Sequence, residues 1–194
     1  MKYGNLTFGQ MEAVLNKLGG MDGVALLLAD EIVLTRKEVK TTPSPEPEIS
    51  PIIRVDYSIS ASYPSWMKER MHPELQRTGT AEYDINKVEQ WLHDDQKDGK
   101  WMKGDKIYAH LKKTDTLKTC LGLRDLEEIQ KKGITFFRKY FKGKVVFGWR
   151  DIVRNRSGNL GVPFLYEDGG KVILGWRWTG LVWSGYYPAL RLAS

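Results

Sequence analysis

Apolar residues recur at three- and four-residue intervals from Phe8 through Met11, Val14, Leu15 and Leu18, which predicts an amphipathic helix. Thr7 and Gln10 have capping-box spacing at its start, and Gly19-Gly20 supplies the left-handed residue that ends it. Asp22 is placed to cap a second helix carrying Val24, Leu26, Leu27 and Leu28. Ile32-Val33-Leu34 reads as a short strand. Four prolines between Thr42 and Pro51 then predict an extended, polyproline-like linker. At about 3.1 Å per residue, Pro43 to Pro51 spans roughly 28 Å. This places a helical pair with a short strand at residues 1–41, a linker at 42–51 and an α+β domain at 52–194.

Within that domain, Ile53, Val55, Tyr57 and Ile59 alternate with polar residues and predict a strand with those four facing inward. A short helix is expected over Trp66–Arg70, and another from the spacing of Ile85, Val88, Trp91 and Leu92 behind Asp84. His93 to Lys100 is a polar loop. Asp105 opens a helix with Ile107 and Leu111 inward, and Leu123, Leu126 and Ile129 mark a further helix that Gly133 stops. Ile134–Phe141 fits helix or strand, with Phe137, Tyr140 and Phe141 at helical spacing. From Lys144 the period becomes two: Val145, Phe147 and Trp149 alternate, and strands at 162–166 and 171–178 join through Asp168-Gly169-Gly170. Leu181-Val182-Trp183 makes a fourth strand. The expected fold is α+β: an N-terminal helical pair, central helices and a C-terminal antiparallel β-meander.

The run Thr7-x-Gly9-Gln10-x-Glu12-Ala13-x-x-Asn16-Lys17-Leu18-Gly19-Gly20-Met21-x-Gly23-Val24 resembles the opening of uncharacterised small proteins predicted from genomes of uncultivated bacteria. The likeness continues more loosely from Lys103-Gly104-Asp105 to His110-Leu111-Lys112-Lys113, and returns in the closing Tyr187-Pro188-Ala189-Leu190-Arg191-Leu192-Ala193-Ser194. Residues Lys40 to Thr80 depart from it. The resemblance implies a family and no catalytic residue.

Seven tryptophans and nine tyrosines in 194 residues supply the apolar bulk of a folded core. Cys120 is the single cysteine, which removes any intrachain disulfide and fits a reducing, cytoplasmic setting. The N-terminus carries no basic-then-apolar leader, and no stretch of about eighteen apolar residues spans a membrane.

The net charge of +6 is unevenly spread: residues 100–156 hold 16 Lys and Arg against 6 Asp and Glu, a net of +10, and the remainder holds 14 against 18, a net of −4. Lys131, Lys132, Arg138, Lys139, Lys142, Lys144, Arg150, Arg154 and Arg156 are interleaved with Phe136, Phe137, Tyr140, Phe141 and Trp149. Cations that neutralise phosphates beside rings that stack on bases would suit single-stranded nucleic acid or an acidic partner. The helical pair is no DNA-reading head, because its second helix has no Lys or Arg.

Chemistry-bearing sets are sparse. His72, His93 and His110 lack the paired spacing of a zinc site. Lys118 and Arg124 would lower the pKa of Cys120 if it were exposed, but Cys120-Leu121-Gly122-Leu123 is an apolar run that suits burial. No phosphate-cradling glycine loop, nucleophile elbow or cofactor motif occurs, so no metal or cofactor is expected. Three readings follow: a non-enzymatic protein-interaction module with Tyr186 and Tyr187 as partner surface; a nucleic-acid-binding protein using residues 131–156; and an enzyme of unrecognised type built on His93 with Asp95 or His110.

Overall fold

The computed structural model describes residues 7–31 and 49–192, and the chain divides into two units, 1–48 and 49–194. In the first, α1 (Phe8–Leu18) starts with the expected capping box: the Thr7 hydroxyl accepts the Gln10 N–H at 3.3 Å while the Gln10 side chain accepts the Thr7 N–H at 2.9 Å. Gly19 ends it at φ 88°. The same residue starts α2 (Gly20–Leu28), so Asp22 sits in the first turn, near the positive end of the helix dipole, instead of capping it. No side chain of α1 is buried, and Phe8 and Leu28 are largely exposed. The expected strand at Ile32–Leu34 and most of the proline linker lie outside the described residues.

The second unit is α+β. Its helices are α3 (Gly104–Lys113), α4 (Leu123–Lys131) and α5 (Gly133–Phe141). Its strands are β1 (Ile52–Asp56), β2 (Met67–Arg70), β3 (Thr80–Asp84), β4 (Val88–Trp91), β5 (Trp101–Lys103) and β6 (Val146–Phe147). They continue as β7 (Val153–Asn155), β8 (Leu160–Asp168), β9 (Lys171–Trp178), β10 (Val182–Ser184) and β11 (Ala189–Leu192). The main sheet runs β2-β7-β8-β6-β11-β4, with β9 on β8; β1–β3 and β5–β10 form two-stranded sheets. β8 and β9 are the expected hairpin, in unbroken register from Gly161↔Trp178 to Asp168↔Lys171.

Two stretches expected as helices are strands. Met67–Arg70 pairs with β7, and Val88–Trp91 follows a single capped turn at Ile85–Lys87 and pairs with β11. The final strands are no simple meander: β2 and β4 come from the middle of the chain, β10 leaves for β5, and β11 meets β6 in parallel at Ala189↔Phe147. Trp149 leaves the expected alternation because Trp149–Asp151 is a tight helical turn.

One core cluster packs α4 and α5 on the sheet through Leu126, Ile129, Phe136, Phe137 and Leu165, and also takes in Ile53 and Val55; Ile59, expected inward, is 54% exposed. A second gathers Ile107, Leu111, Phe147, Trp149 and Trp183 around Cys120. Burial pushes the Cys120 thiol up to about 12, against the opposing pull of Arg191 and Arg150. Iodoacetamide at pH 8 should therefore leave the native thiol unmodified over hours and alkylate it fully in urea. Mass spectrometry reads both states, and labelling of the native chain within minutes would contradict the burial.

Candidate functional site

The site is built around the first turn of α4. The leading N–H groups of a helix have no partner within it. Asp125, at the third helical position, turns back so that Oδ2 accepts the Gly122 N–H at 2.8 Å, and Asp151 Oδ2 accepts the Leu123 N–H at 2.8 Å. Both carboxylates are buried, Asp125 completely. Asp125 also takes the Tyr57 hydroxyl at 2.6 Å and Arg150 Nη2 at 2.6 Å. Asp151 takes the Tyr63 hydroxyl at 2.9 Å and Arg70 Nη2 at 3.1 Å. These bonds tie the end of β1, the loop after it, β2 and the 149–151 turn to one helix start.

Two tetrapeptides of the same pattern make this floor: Gly122-Leu123-Arg124-Asp125 and Gly148-Trp149-Arg150-Asp151. They interlock, since Asp125 pairs with the second arginine and Asp151 caps the first segment. A Cβ on Gly122 would stand 2.2 Å from Asp151 Oδ2 and 2.8 Å from Arg150 Nη2, and one on Gly148 would stand 3.2 Å from the Gly122 carbonyl. Gly122 thus leaves room for the Asp151 and Arg150 side chains, and Gly148 lets its turn lie against the Gly122 backbone.

Above the floor is a cavity of about 280 Å³, lined among others by Tyr57, Tyr63, Arg70, Arg77, Arg124 and Asp151. Its four arginines differ in how completely they are paired. Arg150, only 4% exposed, is held by Asp125; burial opposes its charge, but Asp125 and Asp151 outweigh that and raise its pKa. Arg124 bonds Glu127 at 2.9 Å and also reaches Glu128. Arg70 gives one nitrogen to Asp151 and another to Gln76 at 2.8 Å, and its Nε is buried with no partner. Arg77 donates to the Tyr57 hydroxyl at 3.1 Å, and its one carboxylate neighbour, Asp125, stands at 3.9 Å. Burial, reinforced by Asp151, pushes the Tyr63 phenol far above its ordinary range; burial and then Asp125 raise that of Tyr57. Both phenols thus remain protonated donors.

Comparison with family models, with curated proteins and with solved structures finds no match to this chain. The site stands on its own geometry.

The rings interleaved with the cations singled out in the sequence are largely buried and so do not line a surface with them. Arg150 is an interior residue, not a surface contact. Lys131 pairs with Glu128 at 2.8 Å, Arg138 with Glu167 at 2.9 Å and Arg154 with Glu69 at 2.8 Å. Lys139 lies 5.3 Å from the Tyr140 ring. Lys132, Lys142 and Arg156 are exposed with no ion pair among the described residues. Phe136, Phe137 and Phe141 are buried because the rings of α5 face the sheet, and Trp149 is buried in the second core cluster. Lys144 instead turns to Gly185, donating to its carbonyl at 3.1 Å, and sits 5.3 Å above the Tyr186 ring. Tyr186 is 65% exposed; Tyr187 is half-buried against Phe147 and Trp183.

The three histidines serve packing and turns. His93 and His110 do meet, their ring centroids 4.7 Å apart, and Asp95 Oδ2 stands 3.8 Å from His93 Nδ1. Yet His93 Nδ1 already accepts the Asp95 N–H at 3.1 Å, and His110 stacks on Trp91 at 5.5 Å. Partial burial, then the neighbouring His93 and Arg191, lowers the His110 pKa. His72 bonds the Tyr108 hydroxyl at 2.6 Å and Glu74 at 2.9 Å. Among the described residues no group of three or more His, Cys, Asp or Glu is placed to hold a metal ion, and no helix is long and apolar enough to cross a membrane.

Proposed function

We propose that this chain is a non-enzymatic interaction module that binds an anionic group of a protein partner, a carboxylate or phosphate, in the arginine–tyrosine cavity. The observation that carries the reading is Arg77: a half-buried guanidinium at the cavity whose nearest carboxylate stands beyond hydrogen-bonding distance, at 3.9 Å. Beside it, Arg70 keeps a buried, unpartnered Nε. Guanidinium groups present planar forks of donors suited to carboxylate and phosphate oxygens, and burial strengthens such bonds. Turnover is not what the floor favours, since its carboxylates are taken up by helix N–H groups and its phenols hold their protons. The lone buried thiol and the N-terminal resemblance accord with a bacterial cytoplasmic protein.

The test is a calorimetric titration with inorganic phosphate and, separately, with a tetraglutamate and a phosphoserine peptide, which distinguish the two oxyanions. Saturable binding that weakens with salt is expected. Arg77→Ala should weaken it about 10- to 100-fold, the worth of one charge-assisted hydrogen bond. Arg77 bonds a single hydroxyl, so the variant should keep its native circular dichroism. Heat of binding that is absent for all three probes, or unchanged in Arg77→Ala, would refute the reading.

A further inference from the structure

Apart from Ile59, the large apolar side chains of the second unit that remain exposed cluster at the two-stranded sheet of β5 and β10. They are Trp101 at 65%, Leu181 at 46%, Val182 at 45% and Tyr186 at 65%. Alternation explains the arrangement. Met102 and Trp183 pair across the sheet and point into the core, so Trp101 and Lys103 on one strand and Val182 and Ser184 on the other point out. Trp101 stands opposite Ser184 in the register, and Tyr186 follows in the turn that ends β10. Gly99 and Lys100 border both the depression beside Trp101 and the one beside Tyr186, so the two adjoin.

Lysines frame these rings. Lys100, Lys103 and Lys106 border the depression at Trp101, and Lys144 lies over Tyr186. None of the four forms an ion pair among the described residues. Of the nearby acids, Asp94 is tied to Lys97 at 2.8 Å and Asp105 accepts the Thr179 hydroxyl, which leaves Asp95 and Asp98 against four lysines that form no ion pair among the described residues.

We infer that this ribbon is a binding surface for single-stranded nucleic acid. Trp101 is the one tryptophan among seven that presents a mostly open face, and an unstacked base has a π-face of matching size. Lysine ammonium groups on flexible stems neutralise backbone phosphates without demanding one fixed geometry. The surface is shallow, and no recognition helix enters a groove, so duplex reading is not its use. The combination of rings and cations expected along residues 131–156 is found here instead, with Lys144 the residue common to both.

Fluorescence anisotropy of labelled dT20 and rU20, measured from 25 to 200 mM salt, tests the inference on the full chain. Binding should weaken with salt, the log–log slope falling by about 0.7 per phosphate contacted. Trp101→Ala should weaken it about 5- to 150-fold, the range for loss of one stacked base, and Lys103→Glu with Lys106→Glu should flatten the salt slope. Trp101 is mostly exposed, so its removal spares the fold, which circular dichroism checks. Arg77→Ala should leave this binding intact, which separates the ribbon from the anion cavity. Absence of binding at 25 mM salt, or binding indifferent to Trp101→Ala, would overturn the inference. So would a polyglutamate peptide that binds with the same Trp101 dependence and is not displaced by dT20.

Discussion

Replacing Asp125 by alanine should destabilise the second unit by about 3–5 kcal/mol, the cost of removing one partner from a buried ion pair. Three groups lose their acceptor at once: the Gly122 N–H, the Tyr57 hydroxyl and Arg150 Nη2. Arg150 is the gravest of these, because a guanidinium only 4% exposed cannot turn to water. Asp125→Asn keeps the shape and the helix-capping oxygen but not the charge, so it should recover only part of the loss. Removing both charges, in Asp125→Asn with Arg150→Met, should cost much less than the two single changes added together. Pairs exchanged for apolar groups are often near neutral, and the residual loss should approach the roughly 1 kcal/mol of a weakened cap. Urea unfolding of the parent chain, the three single variants and the double variant measures each figure. A cost below about 1 kcal/mol for Asp125→Ala would mean that the floor of the cavity is not held by this pair.

The α4 start also shows why the fold was more legible in the sequence than the site. Helices α1, α3 and α4 announce themselves through apolar spacing that acts within a few residues, α1 also through its capping box, and the β8–β9 hairpin through its Asp-Gly-Gly turn. Trp66–Arg70 and Ile85–Leu92 carry helical signals in the sequence, yet four residues of each, Met67–Arg70 and Val88–Trp91, enter the sheet as strands. Their partners are also distant: Val88 pairs with Leu192 and Arg70 with Val153. A strand that short carries too little alternation to outweigh nearby helical spacing. In the site, Arg124, Asp125, Arg150 and Asp151 each resemble ordinary surface charge. Their one local signal is the twofold occurrence of Gly-x-Arg-Asp, in which a Cβ on Gly122 would collide with the Asp151 and Arg150 side chains and one on Gly148 would crowd the Gly122 backbone. Arg77 and Tyr63 carry no such mark, and only the folded chain brings them to the same cavity.

The second large effect is expected at Trp183. Its side chain is fully buried, with ring centroids 4.2 Å from Phe147 and 4.9 Å from Trp149, and Arg177 lies 5.6 Å over it. Trp183→Ala should cost about 3–5 kcal/mol in urea unfolding, through lost burial and the cavity left among rings that cannot collapse into it. Trp183→Phe is the sharper experiment. The indole Nε1 is buried without a hydrogen-bond partner, and an ideal Cβ on Gly104 would stand 2.4 Å from it. Phenylalanine removes that unsatisfied donor while retaining an aromatic ring, so its cost should stay below about 1.5 kcal/mol. A Trp183→Phe cost above about 3 kcal/mol would count against an unsatisfied indole N–H at this position. Because Trp183 anchors β10 opposite Met102, Trp183→Ala should also loosen the ribbon that presents Trp101 and so weaken dT20 binding, whereas Trp183→Phe should leave that binding intact.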